Sequence, residues 1–218
     1  MASRCYLYVY VYTIHWTTPL NDVLKPLLDG YRIGMTTGTL YGAFFCVAFY
    51  IEFCFWTGVE LAAIYSDCAA YMRQMEDYEA LKHAAFLNST RLMISHLIGL
   101  TDDSEEKDFE AVFLKKNDIP MICALRRVQI YAGCLLAEHE KVAELSLEWQ
   151  PIIAERLISQ VSILEVTFAS GLSCMAFLRQ TTKKGLRINR KYLNMAAKCR
   201  KKIKSYLKKS CPNCVARK

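Results

Sequence analysis

The sequence predicts an all-α protein built of antiparallel, tetratricopeptide-like helix pairs, and three observations carry that expectation. Its 218 residues include only 9 Gly and 5 Pro, roughly half of ordinary usage, so turns are few and the elements between them long. Hydrophobic residues make up 53% of the chain, enough for a sizeable core and unlike a disordered or collagen-like composition. Apolar residues recur at steps of three and four, most clearly Leu61, Ile64, Tyr65, Cys68, Tyr71, Met72 and Met75, which places them on one face of a helix.

Taken in order, the first helix is expected over residues 4 to 15, a tyrosine-rich run with no small-residue cleavage site and therefore a poor signal peptide. Thr18-Pro19 reads as an N-cap followed by proline in the first helical position, opening a helix over 19 to 35. Gly38 and Gly58 stand where a left-handed residue ends one helix before the next, framing helices over 39 to 56 and 59 to 77. Further helices are expected over 79 to 98, 106 to 117, 119 to 137, 140 to 157 and 161 to 179. The last, over 187 to 209, follows Gly185 and carries the apolar stripe Ile188, Tyr192, Met195, Cys199, Ile203 and Tyr206. The stretch 101 to 108, acidic at 102, 103, 105, 106 and 108, is expected to be a polar loop. It offers a subdivision in what otherwise reads as one helical-repeat region over 1–218, a fragment of a larger protein.

Leu40 to Trp56 carries a single charge, Glu52, and sits at the short limit for a membrane span without flanking Lys or Arg. A buried helix is the favoured reading, and a membrane protein anchored by residues 40–56 is the alternative. The glycines at 30, 34, 38 and 42 repeat every four residues; since Gly38 breaks the helix, they read as close packing between helices of a globular fold rather than a membrane stripe. Shifting the chain by 81 residues lays Tyr50, Phe55, Leu61, Ala62 and Ile64 on Tyr131, Leu136, Val142, Ala143 and Leu145. The small residue shared at Ala62 and Ala143 would let paired helices approach closely, as in stacked helical repeats that bind along one face.

The formal charge of +7 conceals an asymmetry: residues 183 to 218 hold 14 Lys and Arg and no acid, whereas residues 1 to 182 hold 14 basic and 21 acidic residues. Lys198, Lys201, Lys202, Lys204 and Lys208 on the last helix form the candidate face for an anion or a partner. Binding to nucleic acid or an anionic surface through helix 187–209 is a second alternative, weakened by the lack of interleaved aromatics or a recognised DNA-binding motif. The ten cysteines lie mostly inside apolar runs and read as small buried hydrophobes of a reducing, cytoplasmic compartment. Cys211-Pro-Asn-Cys214 has half-site spacing for zinc, but the histidines at 15, 83, 96 and 139 are remote, and His139-Glu140 lacks a histidine at 143. No metal or other cofactor is expected, nor a small-molecule substrate. Asn88-Ser89-Thr90 is a glycosylation acceptor by pattern only, inside a helical stretch.

His15-Trp16, Pro19-Leu20, Leu27-Leu28, Gly30-Tyr31, Gly34, Gly38, Gly58, Leu61 and Tyr71-Met72-Arg73-Gln74-Met75 together resemble a particular helical segment. It is the tetratricopeptide-like region downstream of the predicted ATPase in multi-sensor signal-transduction proteins, which also carry serine/threonine kinase-like, GAF and histidine kinase domains. Ser170-Gly171-Leu172, Arg179-Gln180 and the basic run ending Cys211-Pro212-Asn213-Cys214 extend the resemblance over about residues 4 to 215. It implies a non-catalytic scaffold mediating contacts between an ATPase and an output domain, with proteins or neighbouring domains of the same polypeptide as partners. The kinase and ATPase motifs of such proteins are missing, so none of their catalytic residues maps onto a position in this sequence.

Overall fold

A computed structural model describes residues 2–100, 103–156, 160–181, 186–209 and 211–215, with the side chains at 103, 105, 186–189, 214 and 215 left undescribed. The described chain is all-α, without strands. Its helices are α1 (Ala2–Tyr12), α2 (Leu20–Thr36), α3 (Leu40–Trp56), α4 (Leu61–Asp77), α5 (Leu81–Leu97), α6 (Asp103–Lys116), α7 (Ile119–Leu135), α8 (His139–Arg156), α9 (Ser162–Gln180), α10 (Leu186–Lys208) and the single turn α11 (Pro212–Val215). A short 3-10 turn, Ile14–Trp16, follows α1.

The regularity of the chain lies in its turns. Among the described residues six have positive φ: Gly38, Gly58, Glu79, Gly99, Asn117 and Ala137, each one or two residues beyond the end of a helix. At every one of them the following amide donates to the carbonyl five residues earlier: Thr39 to Gly34, Val59 to Cys54, Ala80 to Met75, Leu100 to Ser95, Asp118 to Phe113 and Glu138 to Gly133, at 2.7 to 3.1 Å. This is the Schellman closure, which satisfies the orphan carbonyls of the last turn and reverses the chain. Helices of 17 residues joined in this way repeat about every 40 residues per pair, longer than the roughly 34 of a tetratricopeptide unit. Three of the six left-handed residues bear a Cβ, which that conformation disfavours. Ala137→Gly and Glu79→Gly should each raise the unfolding free energy by about 1 kcal/mol, and Gly58→Ala should lower it by a similar amount. Chemical denaturation of the three variants checks the signs.

The chain divides into two compact units, the first ending at Glu106 and the second beginning at Lys107, within α6. In the first, consecutive helices from α1 to α5 pack on one another, and α3 also meets α1 and α5. Eleven of the seventeen residues of α3 are buried, so this helix is the spine of the unit. Around it gather Val47, Ala48 and Ile51 with Ile64, Cys68 and Met75 of α4 and Leu87 and Ile94 of α5. The glycines at 30, 34 and 42 do serve close packing: a Cβ at Gly34 would stand 2.6 Å from Ala43 Cβ, and one at Gly42 would stand 2.8 Å from Ser3 Oγ. His96 Nε2 and Glu106 Oε2, 2.6 Å apart, tie α5 to the start of α6.

In the second unit α7, α8, α9 and α10 pack in sequence, α7 also touching α9 and α8 touching α10. Arg126 of α7 reaches back to Glu110 of α6, with Nη1 donating to Oε2 at 2.9 Å. The core near the last helix pair consists of Ala143, Cys174, Phe177, Tyr192, Met195, Ala196 and Cys199.

Several expectations are corrected. Asp103 to Asp108 are helical, not a loop, while residues 101 and 102 lie outside the described residues; acidic residue types early in a helix suit the positive end of its dipole. Pro19 occupies the cap position of α2 rather than its first helical residue. The oxygen cap comes instead at α7, where Asp118 accepts from the Met121 amide at 3.3 Å. The 81-residue shift does not match equivalent turns: the left-handed Gly58 corresponds to Ala137, 79 residues on. Ala62 is exposed whereas Ala143 is buried, so the pair plays no common role. The close approach in the second hairpin is made by Gly133, where a Cβ would lie 2.6 Å from Val142 Cγ2. The turn expected at Gly185 lies outside the described residues.

Candidate interaction groove on the last helix pair

Helix α10 forms because its apolar stripe recurs at helical spacing and finds α9 as a partner. Tyr192, Met195, Ala196 and Cys199 are buried, and Phe177 of α9 meets Tyr192 edge-on, with centroids 5.0 Å apart. The two helices come close at Gly171, where an added Cβ would lie 2.9 Å from Cys199 Cβ. Burial pushes the Cys199 thiol up to about 11 and the Cys174 thiol up to about 12, so both stay protonated and act as apolar packing groups.

Beside this contact the same two helices line an open groove of about 630 Å3. Its α9 wall carries Phe168, Leu172, Met175 and Arg179, and its α10 wall carries Leu193, Ala197, Arg200, Ile203 and Lys204. Phe168 is 50% exposed, Leu172 48%, Met175 39% and Leu193 49%, a cluster of large apolar side chains facing solvent along one channel. Helix α9 therefore has two apolar faces: Ile163, Val166, Cys174 and Phe177 are buried, while Phe168, Leu172 and Met175 stand at steps of four and three on the open side. Arg179, Arg200 and Lys204 supply the polar rim. Glu165 is the last acidic residue in the sequence, and it is buried, so no carboxylate of these two helices neutralises the rim.

The five lysines singled out from the sequence do not form one face. Lys201, Lys204 and Lys208, at steps of three and four, line with Arg200 a shallow recess along α10. Lys198 and Lys202 lie four residues apart on another side of the helix, and Lys202 is half-buried, its ammonium pKa lowered by that burial. Sequence reasoning found the basic character of α10 but missed Arg179 and the whole α9 wall. The available signal was the excess of apolar residues on α9 beyond a single stripe.

Among the described residues no group of three or more His, Cys, Asp or Glu could hold a metal ion. Cys211 is buried, and the side chain of Cys214 lies outside the described residues. His15 is fully buried, which drives its pKa down to about 4. His83 packs among Tyr41, Phe44 and Phe45, and His139 Nδ1 lies 3.4 Å from Ser173 Oγ. Asn88, Ser89 and Thr90 are all buried, so the glycosylation pattern is inaccessible in the folded chain. Among the described residues one helix, α9, is long and apolar enough to cross a membrane, and 61% of that stretch is buried. Helix α3 is shorter, at 17 residues.

No family model, no curated protein and no solved structure matches the chain.

Proposed function

We propose that the chain is a non-catalytic helical-repeat scaffold that binds other proteins, or neighbouring domains of its own polypeptide, through the groove between α9 and α10. The observation that carries this reading is the exposed row of Phe168, Leu172, Met175 and Leu193 inside a basic rim. An apolar channel between two helices is a surface that helix-in-groove recognition uses, and large solvent-facing apolar clusters mark interaction sites. Within the second unit, the closed turns at Asn117 and Ala137 fix the helices on which α9 and α10 pack. Free, buried cysteines support a cytoplasmic setting. The more specific role, linking an ATPase to an output domain in signal transduction, rests on the family resemblance.

Photo-crosslinking in cells tests the reading. A benzophenone side chain placed at Leu172 should give a discrete protein adduct that disappears when Leu193→Glu is added. The same group at Ala63, on the exposed side of α4, should give none. Adducts to lipid or nucleic acid from position 172, or equal adducts from both positions, would overturn it.

A further inference from the structure

We infer that the α9/α10 groove takes an acidic amphipathic α-helix supplied by a protein partner. The inference rests on the protein-binding reading above and adds the chemistry of what is bound. Its first support is shape. The α9 wall runs from Thr167 to Arg179, about 18 Å at the helical rise, which matches three turns of a docked helix. The exposed residues Phe168, Leu172 and Met175 stand at i, i+4 and i+7, so a partner helix with apolar residues at the same spacing can interdigitate with them.

Its second support is charge. Arg179, Arg200 and Lys204 border the apolar floor and no acidic residue lines it. Nor does any acid occur in the sequence after Glu165. The groove's own lining is therefore positive, which favours a partner whose flanking positions are Asp or Glu and disfavours a basic one. A second copy of the chain docking face to face would bring Arg200 and Lys204 against their own counterparts, an arrangement that like charges disfavour. Nucleic acid would satisfy the rim, but the floor offers a base only the Phe168 ring to stack on, and Leu172, Met175 and Leu193 would stay without a matching apolar partner.

The test uses the full chain and a synthetic helical peptide with leucines at positions 1, 5, 8 and 12 and glutamates flanking them. An isomer of the same composition with scrambled leucines serves as the control. Fluorescence anisotropy should show the patterned peptide binding about tenfold more tightly than the scrambled one, since only the former can fill the floor. Leu172→Glu should weaken binding by at least about tenfold, and the Arg200→Glu, Lys204→Glu pair by about tenfold with steep salt dependence. Lys198→Glu, on another side of α10, should leave it unchanged. Circular dichroism keeps loss of binding separate from loss of fold; should Leu172→Glu fail to fold, Met175→Gln takes its place.

Equal affinity for both peptides, or equal sensitivity to Lys198→Glu, would overturn the inference and leave only a diffuse charge effect. Binding to phosphatidylserine vesicles without binding to the patterned peptide would replace it with a lipid surface. A doubled mass in sedimentation, abolished by Leu172→Glu, would replace it with self-association. A protein crosslinked from position 172 through a segment that is neither acidic nor helical would overturn this inference while the scaffold reading stands.

Discussion

Phe49→Ala should lower the unfolding free energy of the first unit by about 4 kcal/mol, a large part of what a domain of this size has. Phe49 is 2% exposed. Its ring lies 5.3 Å from that of Phe86 on α5, 6.2 Å from Tyr12 on α1 and 6.3 Å from both Phe45 and Phe53 on α3, measured between centroids. Truncation opens a cavity at the meeting point of three helices, and the aromatic contacts are lost with it. Trp16 and Trp56 lie in this unit and Trp149 in the other, so urea unfolding followed separately at each tryptophan locates the effect. A midpoint shift confined to Trp16 and Trp56 is expected. Were α3 a lipid-facing helix, Phe49 would have no such partners, and the substitution would change little.

Gly34→Leu should cost about 3 kcal/mol. Gly34 is buried where α2 crosses α1 and α3, and a Cβ there would lie 2.6 Å from Ala43 Cβ, 2.7 Å from Ser3 Oγ and 3.0 Å from Ala43 Cα. The last of these is backbone, so the clash cannot be relieved by a rotamer change. Alanine at this position tests the mechanism: its helix propensity exceeds that of glycine by about 1 kcal/mol, yet the close contact should still make Gly34→Ala destabilising. Adding Ala43→Gly removes the nearest atom and should recover part of the loss, giving a favourable coupling in a double-mutant cycle. Additivity of the two substitutions would contradict the packing described for these helices.

Much of the fold was legible in the sequence because helical periodicity and scarce glycine act locally. The stripe from Leu61 to Met75 and the stop at Gly58 are both visible in the chain and present in the structure. Glu79 and Ala137 were not legible as turn residues, since nothing in their chemistry favours positive φ and the surrounding helices impose it, whereas Asn117 is of a type that adopts it readily. The acidic stretch at 103 to 108 was misread because charge density suggests a loop, whereas at a helix start it is stabilising. The groove was half visible. The lysines of α10 announced themselves by charge, but their sorting into Lys201, Lys204 and Lys208 on one side and Lys198 and Lys202 on another needed the helix phase and its neighbour. The excess of apolar residues on α9 hinted at a second face, but which of its two faces packs inside needed tertiary information.

The groove gives the chain a division of labour in physical terms. The first unit buries a cluster of large apolar groups around α3, where they serve stability. The last helix pair of the second unit leaves Phe168, Leu172, Met175 and Leu193 in solvent, at a cost in hydration that a bound partner would remove. Side-chain oxidative footprinting of the whole chain, alone and with the protein captured by crosslinking, tests this most directly. Phe168, Leu172, Met175 and Leu193 should be protected in the complex, while the equally exposed Tyr8, Tyr78 and Leu114 keep their reactivity. Unchanged oxidation of Phe168, Leu172 and Met175 in a complex that has formed would contradict the account.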